Sequence, residues 1–223
     1  TVMPFPWSQL PEQNVMALHD ALAQSKLNGN NRAVLIGGVG VEGANYFNSA
    51  LWLDANQDIT NPVRYDKIHL LPFGEMIPWG FQWFVDAMDI PLGGYAYGQS
   101  RAPFVLQTAQ GPIRVAANIC YENVFGEELA LWHRNGQAPN IWVNMTNLGW
   151  FGDARTSPAH EQFLVMSQAR ALELGRPMLL ATNTGISAQI APNGDILNAL
   201  APQQEAVGNW QVQPYAGQTP FST

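Results

Sequence analysis

Cysteine is almost absent from the sequence: Cys120 is the only one among 223 residues. A single cysteine excludes an internal disulfide framework, so the fold depends on packing alone. It also excludes a pair of cysteine ligands for zinc, and the four histidines show none of the spacings typical of metal ligands. We therefore expect no metal site, and no motif in the sequence points to a cofactor.

Positive charge is scarce as well. Ten Lys and Arg stand against 17 Asp and Glu, which gives a formal net charge of −7. An acidic surface repels nucleic acid and lacks the polybasic segments that bind anionic lipid. The composition therefore argues against a nucleic-acid partner and against electrostatic binding to a membrane.

Long hydrophobic runs are missing. No apolar run approaches the roughly 18 residues that a membrane span needs, and residues 1–7 form neither a basic region nor the apolar core of a signal peptide. The sequence also lacks the Gly-x-Ser-x-Gly elbow of serine hydrolases and the P-loop of nucleotide-binding proteins. With 47% hydrophobic residues the chain can bury a full core, and we expect one domain over residues 1–223.

The sequence does contain an alternation of strand-like and helix-like segments. The continuous apolar run 32–39 is typical of a strand covered on both faces, and residues 11–27 and 158–175 show helical spacing. Further strands are predicted at residues 46–54, 63–70, 104–107, 113–120, 140–144, 177–182, 186–191 and 207–212, and a further helix at 125–134. This pattern predicts a layered α/β domain with sheets inside and helices outside.

The apolar run 113–122 is central to the interpretation because it contains the cysteine. Gly111-Pro112 precedes it and a helix-like segment follows it, which places Cys120 at a strand-to-helix turn where its side chain can face a cleft. A thiol at such a turn is a candidate nucleophile. The alternative is that Cys120 is a small buried hydrophobic residue, which is the usual role of a lone free cysteine.

Lys67 and two carboxylates, Glu75 and Glu122, are the remaining candidates for chemistry at Cys120. A nearby ammonium group favours the thiolate and also stabilises an oxyanion. Lys67 fits this role, and the alternative is a solvated lysine on a strand.

A long irregular segment, residues 72–98, follows Lys67. Segments of this length inside a domain are typical of lids and binding loops. The segment contains four aromatic residues, Trp79, Phe81, Trp83 and Phe84. One interpretation is that they cap the core. The alternative is that they lie at a membrane interface and control the entry of an acyl chain.

Several motifs, in order along most of the chain, resemble those of the carbon-nitrogen hydrolase (nitrilase) superfamily, and in particular the apolipoprotein N-acyltransferase family. They are the segment 65–75 that ends in Pro-Phe-Gly-Glu, Asn-Ile-Cys-Tyr-Glu at 118–122, the Trp-Phe-Gly loop at 147–152, and the runs 170–177 and 181–188. The resemblance implies an α/β fold, a nitrilase-like four-layered α-β-β-α sandwich. Two departures are Gln168 and Leu180, where the family pattern leads us to expect arginines.

The same resemblance implies a role for each matching residue. Cys120 would be the nucleophile, Lys67 the lysine that stabilises the oxyanion, and Glu75 a supporting glutamate. The residues that would contact substrate are Tyr121, Glu122, Asn147, Trp150 and Phe151.

The implied reaction transfers an acyl chain from a phospholipid, through a thioester on Cys120, to the N-terminal amine of a diacylglyceryl-cysteine apolipoprotein. Phospholipid and apolipoprotein would be the partners, at the periplasmic face of the bacterial inner membrane. The family's base glutamate would lie one residue before Thr1. We therefore expect a periplasmic fragment that lacks the family's first strand, first helix, base and flanking transmembrane helices, and that is nearly inactive by itself.

Two other functions remain compatible with the sequence. A free-standing amidase or carbamoylase of the same superfamily uses the same cysteine and lysine on small soluble amides, but it needs a complete N-terminus and no aromatic lid. A non-catalytic binding domain fits the missing base, and it predicts no covalent chemistry at Cys120.

Overall fold

Two β-sheets lie face to face in the computed structural model, which describes residues 2–28, 31–57, 61–80, 94–134, 136–154 and 156–223. The first sheet has the strand order β1-β2-β3-β4. Its strands are β1 (Val2–Pro6), β2 (Ala33–Glu42), β3 (Asn45–Asp54) and β4 (Val63–Asp66). Strand β1 pairs parallel to β2, and the other two pairs are antiparallel.

The second sheet has the order β10-β9-β8-β7-β6-β5. Its strands are β5 (Phe104–Thr108), β6 (Gly111–Ile119), β7 (Ile141–Thr146), β8 (Met178–Thr182), β9 (Ser187–Ile190) and β10 (Ile196–Leu200). Strands β6, β7 and β8 are parallel neighbours, so their carboxyl ends meet at one edge of the sheet. Ligands of α/β proteins bind at such an edge.

The helices of the described residues are α1 (Glu12–Leu27), α2 (Gly126–Ala130) and α3 (Ala159–Leu174). Short 3₁₀ turns lie at Trp7–Gln9, Cys120–Val124, Leu131–His133 and Gly149–Phe151. Helix α3 ends at Gly175, as the sequence predicts, because its φ of 60° lies in the left-handed region that glycine adopts without strain.

Alternate side chains of β3 belong to different layers, which follows from the two-residue period of a strand. Leu51 and Leu53 pack with Leu22 of α1. On the other face, Trp52 stacks on Phe104 of the second sheet with ring centroids 5.2 Å apart. Helix α3 packs against β8 and β9. The order helix, sheet, sheet, helix confirms the predicted four-layered α-β-β-α sandwich.

Three predicted elements differ from the structure. Strand β4 is shorter than the predicted 63–70, because the N–H groups of Ile68 and His69 bind a carboxylate instead of a neighbouring strand. The strand predicted at 207–212 is wrong: these residues are irregular, and the last strand of the second sheet is β10. The helix predicted at 125–134 is interrupted after Ala130 by a 3₁₀ turn.

The described part of the chain contains no helix that is both long and apolar enough to cross a membrane. In the irregular segment 72–98, Trp79 is 98% exposed, which argues against a role in capping the core. Phe81, Trp83 and Phe84 lie outside the described residues, so the interpretation of this segment as a lid remains a prediction.

Candidate active site

Cys120 lies at the carboxyl end of β6, where the strand changes into a 3₁₀ turn. The residue is half-buried and has a φ of +50°. A side chain other than glycine rarely adopts this left-handed conformation, which costs about 1–2 kcal/mol. Other contacts must therefore hold the turn in place, and the neighbouring Glu122 provides them.

Glu122 is 3% exposed and accepts four hydrogen bonds. Its Oε1 accepts from the Tyr65 hydroxyl at 2.7 Å, from the Ile68 N–H at 2.7 Å and from the His69 N–H at 3.2 Å. Its Oε2 accepts from the Ile119 N–H at 2.7 Å. One carboxylate thus joins the end of the first sheet to the end of β6.

Burial raises the pKa of the Glu122 carboxyl above its usual value, although the hydrogen bonds from Ile119, Tyr65, Ile68 and His69 oppose this effect. Burial and the adjacent Glu122 also raise the pKa of the Tyr65 hydroxyl well above its usual value, so Tyr65 remains a donor at neutral pH.

Lys67 directly precedes the segment that Glu122 binds. The Glu122 carboxylate bridges the backbones of Ile68 and Ile119, because it accepts a hydrogen bond of 2.7 Å from the N–H group of each. Each of these residues is next in sequence to a candidate catalytic residue, Lys67 or Cys120. The structure therefore brings the lysine and cysteine segments together, although they are far apart in sequence.

The Lys67 side chain is 1% exposed, and its Nζ donates to Oε2 of Glu75 at 2.6 Å. Glu75 also accepts from the Leu71 N–H at 2.7 Å and from Asn48 Nδ2 at 2.6 Å. Glu75 therefore supplies the counter-charge that a buried ammonium group requires. Lys67 is not the solvated lysine of the alternative interpretation.

The Lys67 backbone is fixed on both sides. Its N–H donates to Asn48 O at 2.8 Å, and its carbonyl accepts from the Gly98 N–H at 2.8 Å. A Cβ on Gly98 would lie 1.9 Å from the Asp66 carbonyl oxygen, so glycine is required where this segment passes β4. Within the described residues Glu75 is the single partner of Nζ, which leaves two of its three N–H groups for another acceptor.

Tyr121 follows Cys120 and contacts Phe125 edge to face, with ring centroids 5.1 Å apart. Phe125 in turn stacks on the His69 ring at 4.2 Å, and His69 Nε2 lies 3.0 Å from Glu128 Oε1. These contacts give Tyr121 a packed support beside the cysteine.

Asn147 and Asn183 connect the loops that follow β7 and β8. Asn183 Nδ2 donates to Asn147 Oδ1 at 2.6 Å, and Asn183 Oδ1 accepts from the Leu148 N–H at 3.0 Å. The next two side chains extend into solvent, with Trp150 79% and Phe151 50% exposed. We call residues 147–151 the aromatic turn. Hydrogen bonds hold its first two residues in place, whereas its two aromatic side chains are exposed to solvent.

Several residues of the site escaped the sequence analysis. His160, 1% exposed, lies with Nε2 3.2 Å from Gly152 O and so supports the aromatic turn. Asn48 supports Glu75, and Tyr65 supports Glu122. Tyr65 and Asn183 did carry a signal, because they belong to the motifs 65–75 and 181–188, whereas His160 and Asn48 carried none.

The two positions that depart from the family pattern have local partners. Gln168 Nε2 donates to the Gly194 carbonyl at 2.7 Å, so it supports the turn between β9 and β10. Leu180 is 2% exposed and packs in the core between the layers. Neither position needs an arginine to satisfy its surroundings. Among the residues that the structure describes, no cluster of His, Cys, Asp or Glu is arranged to hold a metal ion.

Comparisons with known proteins identify the family of this chain. The family model described as carbon-nitrogen hydrolase matches residues 7–221. An apolipoprotein N-acyltransferase from Ralstonia nicotianae is 39% identical over 99% of this chain and 40% of its own length. One from Neisseria meningitidis serogroup B is 36% identical over 99% of this chain and 42% of its own length. The chain thus spans about two fifths of the length of these relatives.

Solved structures share the fold at low sequence identity. A carbon-nitrogen hydrolase from Helicobacter pylori superposes with a TM-score of 0.58 at 15% identity, covering 87% of this chain and 65% of its own. An amidase from Nesterenkonia gives a TM-score of 0.55 at 18% identity, covering 88% of this chain and 67% of its own. The similarity predicted from the motifs is confirmed, and with a family model that spans residues 7–221 this chain belongs to the carbon-nitrogen hydrolase family.

Proposed function

We propose that this chain carries the acyl-transfer site of a lipoprotein N-acyltransferase, with Cys120 as nucleophile. The observation that carries the proposal is the Glu122 carboxylate, which joins the left-handed turn of Cys120 to the backbone that follows Lys67, whose ammonium group is buried with Glu75. The names of the relatives, apolipoprotein N-acyltransferase, supply the substrate class.

In the first step the Cys120 thiolate attacks the ester carbonyl of a phospholipid. A C–S bond forms, and the negative charge that develops on the carbonyl oxygen is stabilised by the free N–H groups of Lys67. The C–O bond then breaks. The lysophospholipid leaves with the proton that a base removed from the thiol, and the acyl chain remains as a thioester.

In the second step the neutral α-amine of a diacylglyceryl-cysteine attacks the thioester. A C–N bond forms, the C–S bond breaks, and the amine proton passes to the base and then to the departing thiolate. Lys67 stabilises the second oxyanion in the same way, and Tyr121, Asn147, Trp150 and Phe151 contact the substrates. Glu122 was expected to contact substrate as well, but it is buried with both oxygens hydrogen-bonded, so we assign it to holding the turn of Cys120.

The base that we propose is a glutamate on a segment preceding Thr1. Glu75 already accepts hydrogen bonds from Lys67, Leu71 and Asn48, and both oxygens of Glu122 are occupied. A proton taken up by either carboxylate would disrupt these hydrogen bonds, and at Glu75 it would also remove the counter-charge of Lys67. General-base catalysis contributes about 10²–10⁴ in rate, so residues 1–223 alone would be nearly inactive.

The relatives' greater length supports the proposal that residues 1–223 are one domain of a longer protein. We further propose that helices flanking this domain anchor it at the bacterial inner membrane, with the site facing the periplasm. There Cys120 meets phospholipid on one side and apolipoprotein on the other.

The test is the intact mass of the protein after incubation with phospholipid vesicles. The chain is extended upstream to include the glutamate segment, and Cys120→Ala is the matched control. A mass gain equal to one acyl chain is expected, and it must be absent from the control. Adding a diacylglyceryl-cysteine peptide must then remove the mass from the protein and transfer it to the peptide.

Two other results would contradict the proposed acyl transfer and favour a different function. If the extended protein gains no acyl mass but hydrolyses small soluble amides, the chain is an amidase of the same superfamily. If Cys120 forms no covalent adduct in either assay, the chain is a binding domain.

A further inference from the structure

A surface depression lies near the carboxyl ends of the parallel strands of the second sheet, where Cys120 is also located. It is an open depression with a volume of about 790 Å³, formed by the loop after β8 and a later segment of the chain. Its lining consists of Thr182, Asn183, Thr184, Gln203, Gln204, Glu205, Ala206 and Val207. We call it the 203–207 depression.

The register of the second sheet fixes the distance between this depression and Cys120. Ile119 of β6 pairs with Met145 of β7, and Thr146 pairs with Thr182 of β8. Cys120 is therefore level with Thr182 and two strands away from it. With neighbouring strands ~4.8 Å apart, this separation is about 10 Å.

The backbone of segment 204–207 is accessible for hydrogen bonds to a ligand. Its four residues are exposed, and Val207 is 94% exposed. Within the part of the chain that the structure describes, their N–H and C=O groups make no backbone hydrogen bond. The segment is irregular and not part of the sheet, but its exposed N–H and C=O groups can hydrogen-bond to an extended peptide as those of an edge strand do.

Gln203 holds this segment in place through a strained conformation. Its φ of +57° lies in the left-handed region, and its N–H donates to the Thr184 carbonyl at 3.1 Å. A left-handed residue other than glycine costs about 1–2 kcal/mol, and such residues cluster at ligand sites. This conformation forms the turn at 202–203, after which the segment 204–207 begins.

We propose that the 203–207 depression binds the polypeptide of the acceptor, as an extended strand, beyond its lipidated cysteine. The inference rests on the proposed N-acyltransferase function. An acceptor whose α-amine attacks at Cys120 must leave the site along the sheet edge. At ~3.3 Å per extended residue, about three residues span the 10 Å to Thr182, and the following residues meet segment 204–207.

Six of the eight lining residues can hydrogen-bond to a peptide through a hydroxyl, amide or carboxylate group. A peptide backbone supplies both donors and acceptors at the spacing of a strand. The depression thus gives the acceptor a polar path, separate from the lipid that it carries.

Amide hydrogen exchange tests the site directly. The probe is a water-soluble peptide of eight residues whose first cysteine carries a short-chain diacylglyceryl group, and the comparison is that modified cysteine alone. The eight-residue probe is expected to slow exchange at residues 204–207, whereas the single cysteine leaves it unchanged. Equal exchange with both probes, at concentrations that saturate the protein, overturns the proposal.

A pair of proline variants provides an independent test. Ala206→Pro removes an N–H inside the depression, and Asn209→Pro makes the same change outside it. In the extended protein, A206P is expected to raise KM for the eight-residue acceptor about five- to tenfold, the effect of one lost hydrogen bond. N209P should leave KM unchanged, and acyl uptake by Cys120 should be the same in both.

These readouts separate the two proposals. Acyl transfer without protection of residues 204–207 refutes the peptide site and leaves the acyltransferase intact. Protection without acyl uptake supports the peptide site and refutes the proposed reaction. Equal KM values for A206P and N209P also refute the peptide site.

Discussion

Replacing Glu122 by glutamine removes the contact that joins the two sheets at Cys120. Glutamine keeps the shape of the side chain but has one acceptor oxygen, whereas both oxygens of the carboxylate accept hydrogen bonds. Oxygen Oε1 accepts three, and Oε2 accepts one from Ile119. When the amide oxygen takes the Oε1 position, the amide nitrogen faces the Ile119 N–H and two donors meet.

The free energy of this change has two opposing parts. A hydrogen bond to a charged group contributes about 1.5–3 kcal/mol, and an unpaired buried N–H costs a further ~1–3 kcal/mol. Burial acts in the other direction: it raises the pKa of Glu122, which means that it penalises the carboxylate that glutamine removes. We expect E122Q to lower the free energy of unfolding by about 2–4 kcal/mol.

The pH dependence has a definite sign. Because the pKa of Glu122 is raised by folding, the folded chain binds this proton more tightly than the unfolded chain. The contribution of Glu122 to stability is therefore full below the ordinary glutamate pKa and declines as the pH rises through the folded value. E122Q lacks this contribution, so its deficit relative to the parent chain should narrow as the pH rises.

Urea unfolding followed by tryptophan fluorescence measures both effects. The matched control is Glu128→Gln, since Glu128 forms ion pairs with His69 and Arg101 but is 31% exposed. Exposed pairs contribute about 0–1 kcal/mol, so E128Q should be close to the parent chain. An E122Q chain as stable as E128Q would show that the carboxylate does not hold the turn, and the argument would fail.

Three further predictions concern His133, Gly98 and Trp150. Burial and Arg176 lower the pKa of His133 from 6.5 to about 4. The unfolded chain therefore binds this proton first, and stability should fall by about 3 kcal/mol from pH 6.5 to pH 4. His133→Leu should flatten that slope in urea titrations. Gly98→Ala places a methyl group against the Asp66 carbonyl and should cost about 3 kcal/mol, seen as a lower Tm; an unchanged Tm would contradict the close approach. Trp150→Ala should change unfolding by less than about 0.5 kcal/mol, because the ring is 79% exposed, while it slows acyl uptake from vesicles.

The parts of the fold that sequence predicts well are those set by local pattern. The apolar runs of β2 and β3 form strands because both faces of the first sheet are covered, and the hairpin of β5 and β6 turns where Gly111 allows it. The end of α3 at Gly175 is equally local. In contrast, β10 was not predicted: its residues Ile196–Leu200 are largely apolar but do not alternate with polar ones, and the structure leaves most of them exposed.

The connections of the candidate site depend on residues distant in sequence, and these were not predictable. The motif around Cys120 and the lysine at 67 are visible as patterns, but Tyr65 reaches Glu122 across 57 positions. No local signal indicates that the N–H groups of Ile68 and His69 leave the sheet for that carboxylate. The burial of Glu122 therefore depends on the packing of the two sheets and could not be predicted from the local sequence.

The position of Glu122 between the sheets also determines when the turn of Cys120 becomes organised during folding. Its donors belong to β4, to the segment after it and to the end of β6, so the turn of Cys120 cannot be fixed before the two halves of the sandwich have docked. A newly made or partly folded chain presents an ordinary thiol without an organised neighbour. Assembly of the two sheets is thus the step that organises the proposed nucleophile.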